Sequence, residues 1–158
     1  MKKILLFIIA MTATISLNAQ GIPFDVKGLK IGSKVNTTQI KKTLGNPKSI
    51  ESSMGETVYN YGETGFTCID GVFLDAFIKD SSFPVFTNII SGGIKVGETE
   101  TSAKNKIKNC QQLSDCLIEP IQYCKDTGFM VGKYDDWVNF VTDKNGKIVL
   151  IIYNIIGI

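Results

Sequence analysis

A five-residue sequence occurs twice in this chain, and the spacing of the two copies constrains the fold. Residues 28–32 read Gly-Leu-Lys-Ile-Gly and residues 93–97 read Gly-Ile-Lys-Val-Gly, while Asn-Ile-Ile occurs at residues 88–90 and again at residues 154–156. Both spacings are about 65 residues, which is typical of a duplicated structural unit. The sequence therefore predicts one module present in two copies.

The first 19 residues have the pattern of a secretory signal peptide. Lys2 and Lys3 precede an unbroken apolar run over residues 4–11, and Ala19 precedes the predicted cleavage point. This run is shorter than the ~20 residues that a membrane-spanning helix needs. We therefore expect residues 1–19 to be removed, leaving an exported protein, periplasmic or extracellular, with no transmembrane segment in the mature chain.

The composition disfavours several classes of function. All 17 basic residues are lysines, and without Lys2 and Lys3 the remaining 15 equal the 15 acidic residues. A chain without excess positive charge lacks the basic footprint of a nucleic-acid-binding protein. The sequence has no histidine, which excludes Ser-His-Asp and Cys-His nucleophilic sites and zinc sites of the HExxH type. We predict no catalytic residue, no metal site, no cofactor and no nucleic-acid partner.

Four cysteines remain after the predicted leader: Cys68, Cys110, Cys116 and Cys124. An even number of cysteines in an exported chain indicates two disulfides, since oxidising compartments preserve them. Three connectivities are possible, and the sequence does not choose among them. The cysteine spacings and the absence of histidine disfavour zinc, and the absence of a CxxC motif disfavours a redox role.

Helical and alternating patterns follow one another in the same order in both halves. Apolar residues at helical spacing predict one helix within residues 33–45 and a shorter one over residues 101–110. Alternation and turn residues predict strands over residues 57–61, 65–69, 72–79, 84–90, 118–124, 129–133, 136–142 and 148–156. We therefore predict an α+β fold of two tandem helix-plus-antiparallel-meander units, residues 20–92 and 93–158, with the helices packed on one face of a sheet in one compact domain.

Alternation within residues 72–79 predicts two unlike sheet faces. The even positions are aliphatic, whereas the odd positions carry aromatic or charged side chains. We expect the helices to cover the aliphatic face and the other face to stay open. Aromatic residues on an open sheet anchor protein partners, because they bury a large area at low rotamer cost. The predicted partner-binding residues are Tyr59, Tyr61, Phe73, Asp75, Phe77, Trp137, Asn139 and Tyr153. Alternatively, these aromatics cover the second face internally, between the units.

The first half resembles a known type of module. Its Gly-x-Lys-Ile-Gly entry, a short helix, the Leu-Gly-Asn-Pro stop at residues 44–47 and Tyr59-x-Tyr61 in the following meander resemble one unit of SmpA/OmlA-type outer-membrane assembly lipoproteins. Two such units in tandem resemble the fold of the β-lactamase inhibitor protein family. That resemblance implies a concave sheet that grips a partner protein with aromatic anchors. This chain departs from the lipoproteins because it has no lipid-attachment cysteine and has two units.

Two functional interpretations follow. The favoured one is a secreted or periplasmic, non-enzymatic protein-binding module that acts through an open sheet face, such as an inhibitor, an immunity protein or an envelope-assembly protein. The alternative is a small extracytoplasmic enzyme or small-ligand-binding protein that uses Asp and Glu groups. A purely structural role in the envelope is a third possibility that the sequence does not separate from the first.

Overall fold

A computed structural model of the chain describes residues 24–87, 90–107, 128–133 and 136–155, and about half of these lie in β-strands. The strands are β1 (Phe24–Val26), β2 (Leu29–Lys30), β3 (Ser49–Ser53), β4 (Glu56–Asn60), β5 (Gly65–Ile69), β6 (Val72–Ile78), β7 (Val85–Thr87), β8 (Ile90–Ile94), β9 (Gly128–Lys133), β10 (Asp136–Thr142) and β11 (Ile148–Ile155). The helices of the described residues are α1 (Thr37–Leu44) and α2 (Glu100–Lys106).

The strands form two antiparallel sheets. The small sheet has the order β2-β1-β7-β8, and the large sheet has the order β3-β4-β5-β6-β11-β10-β9. The predicted α+β class is therefore wrong: the described residues form a mostly β structure with two short helices, and not tandem units of helices packed on a sheet. The meanders of the two halves join in one sheet because β6 pairs with β11, and the small sheet exists because β1 pairs with β7.

The two copies of the pentapeptide occupy equivalent places in the small sheet. Each copy contains residues of an outer strand, β2 or β8, and a helix follows each copy. The four glycines of the two copies have positive φ angles of 76° to 93°, the backbone region that glycine enters without steric cost. The predicted boundary between residues 92 and 93 falls inside β8. The sequence repeat therefore marks corresponding edges of one shared sheet.

Cross-strand pairing defines the two faces of the large sheet. Tyr59, Phe66, Ala76, Tyr153 and Val138 are successive partners across five strands, so their side chains lie on one face. All five are buried. We call this the inner face and the opposite one the outer face.

The small sheet and both helices contact the inner face. Phe24 in β1 packs edge to face against Tyr153, with ring centroids 5.3 Å apart. Ile40 of α1 and Ala103 of α2 are fully buried in the same apolar cluster. The largest fully buried side chains of this core are Phe24, Phe66, Phe73, Phe129, Phe140, Ile40, Ile78, Ile94, Ile148, Ile151, Val26 and Val85. One core therefore joins the two sheets and the helices.

The first predicted helix is present as α1 and has clear end signals. Asn36 and Gln39 form a capping box, in which each side chain accepts a hydrogen bond of 2.9 Å from the backbone N–H of the other. The helix ends at Gly45, whose N–H donates to the carbonyl of Lys41. The predicted leader, the predicted strand over residues 118–124 and the last residues of the second predicted helix lie outside the described residues.

Candidate functional site

The eight predicted partner-binding residues are divided between the two faces of the large sheet. Tyr59, Tyr61, Phe73 and Tyr153 pack on the inner side, whereas Asp75, Phe77 and Asn139 lie on the outer face. Trp137 is in β10 with its backbone paired to Gly132 and Asn154, and its side chain is outside what the structure describes. The structure therefore brings three of the predicted residues together on one open face.

Tyr59 and Tyr61 hold α1 against the sheet. The Tyr59 hydroxyl lies 2.9 Å from the hydroxyl of Thr37, the first residue of α1. The Tyr61 hydroxyl donates to the carbonyl oxygen of Gly45 at the other end of the helix, 2.9 Å away. Burial raises the pKa of Tyr61, and the neighbouring Tyr59 raises it further. The sequence predicts both tyrosines on an open face, but their hydroxyl groups contact the two ends of α1.

A β-bulge moves Phe73 from the expected face into the core. Thr67 pairs with Asp75 and Cys68 pairs with Phe73, so Leu74 is an extra residue in β6. An extra residue reverses the alternation of side chains on either side of it. Phe73 and Leu74 are consequently both buried, although simple alternation predicts opposite faces for them. Asp75 and Phe77, which follow the bulge in β6, lie on the predicted outer face.

Tyr153, which is also predicted on the open face, lies in the core. It is 4% exposed and contacts Phe24 of the small sheet. Its cross-strand partner Ala76 is equally buried. The small sheet, which the sequence did not predict, covers this part of the inner face.

The outer face carries an exposed aromatic residue in a row of cross-strand partners. Phe77 in β6 pairs with Gly65 on one side and Ile152 on the other, and Ile152 pairs with Asn139. Phe77 is 43% exposed, and Ile152 and Asn139 are half-buried. Because Gly65 has no side chain, one flank of the Phe77 ring has no cross-strand side chain beside it. The sequence did not single out Ile152, since the residues around it in β11 are apolar on both faces.

Opposite charges lie on either side of Phe77. Asp75 is two residues before it on the outer face, and Lys79 is two residues after it, directly beyond the end of β6. The Lys79 ammonium lies 5.8 Å from the centroid of the Phe77 ring and 3.4 Å from a carboxylate oxygen of Glu63. The outer side of β6 thus presents an acid, an aromatic ring and a base in sequence.

The β3 and β4 side of the outer face is polar. The Asn60 side-chain amide donates to the hydroxyl of Ser49 at 3.1 Å and to the carboxylate of Glu51 at 2.9 Å. Ser49 and Asn60 are cross-strand partners, and Asn60 pairs on its other side with Gly65 in β5. Polar groups that are hydrogen-bonded to one another have a smaller free-energy cost of exposure to water than an aromatic ring has. Phe77 is therefore an exposed aromatic ring beside a polar part of the outer face.

A shallow pocket of about 420 Å³ lies beside the end of β6, and its lining includes Lys48, Tyr61, Glu63, Lys79 and Asp80. The backbone N–H and the hydroxyl of Ser82 lower the pKa of Asp80. A carboxylate held in its ionised form is unsuited to donating a proton as a general acid. The side chains that line the pocket therefore carry charges of both signs.

Cys68 is a free, buried thiol in β5. Burial raises its pKa to about 11. Because the thiolate is the reactive form, this cysteine is poorly reactive near neutral pH. The two predicted disulfides need all four cysteines, so a free Cys68 does not agree with that pairing. Cys110, Cys116 and Cys124 lie outside the described residues, and a disulfide between two of them stays a prediction.

Within the described ranges, no three Cys, Asp or Glu side chains converge in a way that could hold a metal ion. Neither α1 nor α2 has the length and apolar character needed to span a lipid bilayer.

No protein-family model matches the chain, and no curated protein sequence is significantly similar to it. Two solved structures are similar to it. One is an extracellular protein containing a SCP domain from Bacillus anthracis strain Ames, with 15% identity and a TM-score of 0.47; the match covers 78% of this chain and 43% of that one. The other is the DUF4309 family protein YjgB from Bacillus subtilis, with 12% identity, a TM-score of 0.41 and coverage of 82% and 84%.

The chain spans less than half the length of the SCP-domain protein. Both likenesses are too weak to support a conclusion about function. Neither structure is a β-lactamase inhibitor protein or an SmpA/OmlA-type lipoprotein, so the sequence resemblance to those families stays an expectation.

Proposed function

We propose that this chain is an exported, non-enzymatic protein-binding module that contacts its partner through the outer face of the large sheet. The observation that carries the proposal is Phe77, a large aromatic side chain that is 43% exposed in the middle of a seven-stranded sheet. Core positions bury their aromatics, and the other phenylalanines of β5 and β6 are fully buried. An aromatic ring left open at the centre of a sheet gains free energy when a partner covers it.

The surroundings of Phe77 suit a binding anchor. Its strand is paired on both sides, by β5 and by β11, so the ring is carried by a rigid part of the fold. A rigid anchor loses little conformational entropy on binding. Asp75 and Lys79 on either side provide charges that orient a partner and exclude unsuitable ones. The export part of the proposal rests on the leader pattern of residues 1–19.

The partner could be an enzyme that the module inhibits, a toxic protein that it neutralises, or a component of the cell envelope. Binding to a protein of any of these classes depends on a few strong contacts, and the exposed ring of Phe77 offers one. The proposal assigns no catalytic role to any residue.

The experiment compares Phe77→Ala with Met54→Ala. Met54 is fully exposed in the turn between β3 and β4, so its truncation removes apolar surface outside the Phe77 region. The chain from residue 20 onward is immobilised and challenged with native secreted and envelope fractions, and bound proteins are then purified and titrated. Phe77→Ala should weaken the affinity for a specific partner by about tenfold or more. Met54→Ala should leave it unchanged.

The free energy of unfolding is measured for both variants, so that lost binding is not mistaken for lost folding. The proposal is overturned if no protein binds specifically, or if a specific partner binds Phe77→Ala as well as it binds the unsubstituted chain.

The pocket beside β6 favours a second candidate, capture of a small zwitterionic ligand. Its volume of about 420 Å³ is that of a small-molecule site, and Lys48 and Glu63 supply charges of opposite sign. Amino acids and dipeptides should then raise the midpoint of thermal unfolding, and the Lys48→Met variant should lose that shift. An unchanged midpoint with the unsubstituted chain would rule this candidate out.

A further inference from the structure

The backbone that follows each pentapeptide copy is attached to the large sheet in the same way. The N–H of Val35 donates to the carbonyl oxygen of Gly71 in the turn between β5 and β6, at 2.8 Å. The N–H of Glu100 donates to the carbonyl oxygen of Gly146 in the turn between β10 and β11, also at 2.8 Å. Val35 and Glu100 are separated by the same number of residues as the two pentapeptides. They are therefore equivalent positions in the two copies.

The charges of the equivalent segments differ. Residues 25–42 contain five lysines and one acidic residue, a net charge of +4, whereas residues 90–107 contain three lysines and two glutamates, a net charge of +1. The two glutamates take the positions that Ser33 and Val35 have in the first copy. The same backbone attachment forms with and without acids at these positions, so the fold does not require their absence from the first copy.

The lysines of α2 are paired within the chain, and those around α1 are not. Lys104 forms an ion pair with Glu100 at 2.5 Å, and Lys106 forms one with Glu98 at 2.6 Å. No described residue forms an ion pair with the exposed lysines of residues 25–42. We call four of these exposed side chains the α1 lysine surface: Lys30, Lys34, Lys41 and Lys42.

Asp25 is the one acidic residue of this segment. Its carboxylate accepts a hydrogen bond of 2.8 Å from the N–H of Gly28 and forms no ion pair with Lys30, its cross-strand partner. Residues 26–50 contain no acidic residue at all. The α1 lysine surface therefore keeps a net positive charge.

The α1 lysine surface and the acidic residues of the outer face lie on opposite sides of the large sheet. Because α1 and the small sheet both contact the inner face, their exposed side chains, including Lys41 and Lys42, point away from that sheet. On the outer face, Glu51 accepts a hydrogen bond from Asn60, and Glu56 shares the face of Asn60 because it is four residues before it in β4. The fold therefore separates positive from negative charge across the sheet.

The helix dipole does not account for this surface. Lysines in the last turn of a helix are stabilised by the dipole, and both α1 and α2 have two of them. The dipole does not exclude acids from the neighbourhood, however, and Lys30 and Lys34 precede α1. Unpaired like charges repel one another and oppose compact folding. A partner of opposite charge would relieve that repulsion.

The chemistry of the α1 lysine surface fits an anionic lipid bilayer. Lysine ammonium groups are flexible point charges, which attract phosphate groups without the fixed two-point geometry of arginine. Residues 24–48 carry no exposed large apolar side chain of the kind that anchors a protein partner. Clustered lysines bind bilayers that contain anionic lipids. The predicted leader would carry the chain across a membrane and release it beside one.

We propose that the α1 lysine surface binds the anionic surface of a lipid bilayer. The bound chain then turns the outer face, with Phe77, away from the membrane and towards a protein partner. This inference goes beyond the proposed function, because it concerns the opposite side of the large sheet and a lipid in place of a protein. The two proposals share only the export of the chain.

The experiment measures co-sedimentation of the chain from residue 20 onward with lipid vesicles. One set of vesicles is phosphatidylcholine alone, and the other has equal parts of phosphatidylglycerol and phosphatidylcholine. The chain should bind the second set and not the first. Raising the salt concentration from about 0.05 M to about 0.5 M should release it, because salt screens exposed charges.

The double variant Lys41→Gln/Lys42→Gln should bind the anionic vesicles more weakly by about tenfold or more, since each lysine near an anionic bilayer strengthens binding by about fivefold. Glutamine has nearly the helix propensity of lysine, so α1 should still form, and circular dichroism checks this. The matched control is Lys144→Gln/Lys147→Gln, which removes the same charge from exposed positions at the β10–β11 turn. The control should bind like the unsubstituted chain.

The inference is overturned if the chain binds both sets of vesicles equally or neither of them, or if the Lys41→Gln/Lys42→Gln variant binds as well as the unsubstituted chain. Soluble polyphosphate is a third probe, and binding to it without binding to anionic vesicles would also overturn the lipid assignment. Phe77→Ala should bind the vesicles normally. Loss of its protein partner with normal vesicle binding, or the reverse result, therefore shows which of the two proposals has failed.

Discussion

The hydroxyl of Tyr59 lies 2.9 Å from the hydroxyl of Thr37, and this contact ties the large sheet to the first turn of α1. Tyr59 is 4% exposed, and its ring lies on the inner face next to Phe66, its cross-strand partner. At the other end of the helix, Tyr61 donates to the carbonyl oxygen of Gly45. A helix of eight residues is marginal on its own, so contacts of this kind decide whether it forms.

Tyr59→Phe should lower the free energy of unfolding by about 1 kcal/mol, because the ring stays in place while a partly buried hydrogen bond is lost. Urea unfolding of the two proteins measures the difference. Tyr61→Phe is the comparison at the opposite end of α1 and should cost less, since that bond is more exposed to water. Equal stability of Tyr59→Phe and the unsubstituted chain would contradict the role assigned to this hydroxyl. Neither change should alter binding at the outer face.

Gly93→Ala should destabilise the protein more than Gly92→Ala. Both glycines have positive φ, 76° for Gly93 and 83° for Gly92, so alanine at either position costs about 1–2 kcal/mol of backbone strain. A Cβ atom at Gly93 would also lie 2.7 Å from a ring carbon of Phe86, whereas nothing lies within 4 Å of a Cβ at Gly92. The collision should add about 1 kcal/mol or more. Urea unfolding of both variants measures this added cost as the difference between their free energies of unfolding. Equal destabilisation by the two substitutions would show that the Phe86 ring moves away freely.

Local signals in the sequence predicted several strands well. The structure places β5 and β10 at the predicted residues, because glycine turns and alternation mark the ends of β5 and alternation carries through β10. Pairing between distant strands has no local signal. The contacts of β6 with β11 and of β1 with β7 join segments more than 50 residues apart, and they convert two predicted meanders into two shared sheets.

Alternation in the sequence assigns side chains to the correct face of the sheet where it is undisturbed and to the wrong face elsewhere. Phe77 and Asp75 follow the bulge at Leu74, so they keep the period of two, whereas Phe73 precedes it and changes face. Tyr153 belongs to a strand whose residues from 148 to 153 are apolar or aromatic at every position. Such a run gives no indication of which side is buried. The burial of Tyr153 follows from its contact with the small sheet. No local pattern in the sequence encodes the pairing of that sheet's strands.

Cys68 should react slowly with thiol reagents in the folded protein. Burial raises its pKa to about 11, so the thiolate is scarce near neutral pH, and the side chain is also only 3% exposed. Because the folded pKa is above the unfolded one, this effect favours folding below about pH 8.5 and is lost as the pH rises towards 11. Labelling of a variant in which Cys110, Cys116 and Cys124 are replaced by serine should be slow in buffer and fast in urea. Fast labelling in buffer would contradict the burial.

Asp143 should make the stability of the β10–β11 hairpin depend on acid pH. Its carboxylate accepts backbone N–H bonds from Lys147 at 3.0 Å and from Asn145 at 2.8 Å, and these bonds lower its pKa. A carboxyl whose folded pKa lies below the unfolded value, near 3.9, stabilises the fold above that pH. The contribution is lost as the pH falls through the lowered folded pKa, when both states carry the proton.

Asp143→Asn keeps an acceptor oxygen but does not titrate, so the stability advantage of the unsubstituted chain near neutral pH should shrink progressively below about pH 4. Urea unfolding of both proteins across this range measures the change, and a difference that is constant with pH would show that the turn does not depend on the ionised form.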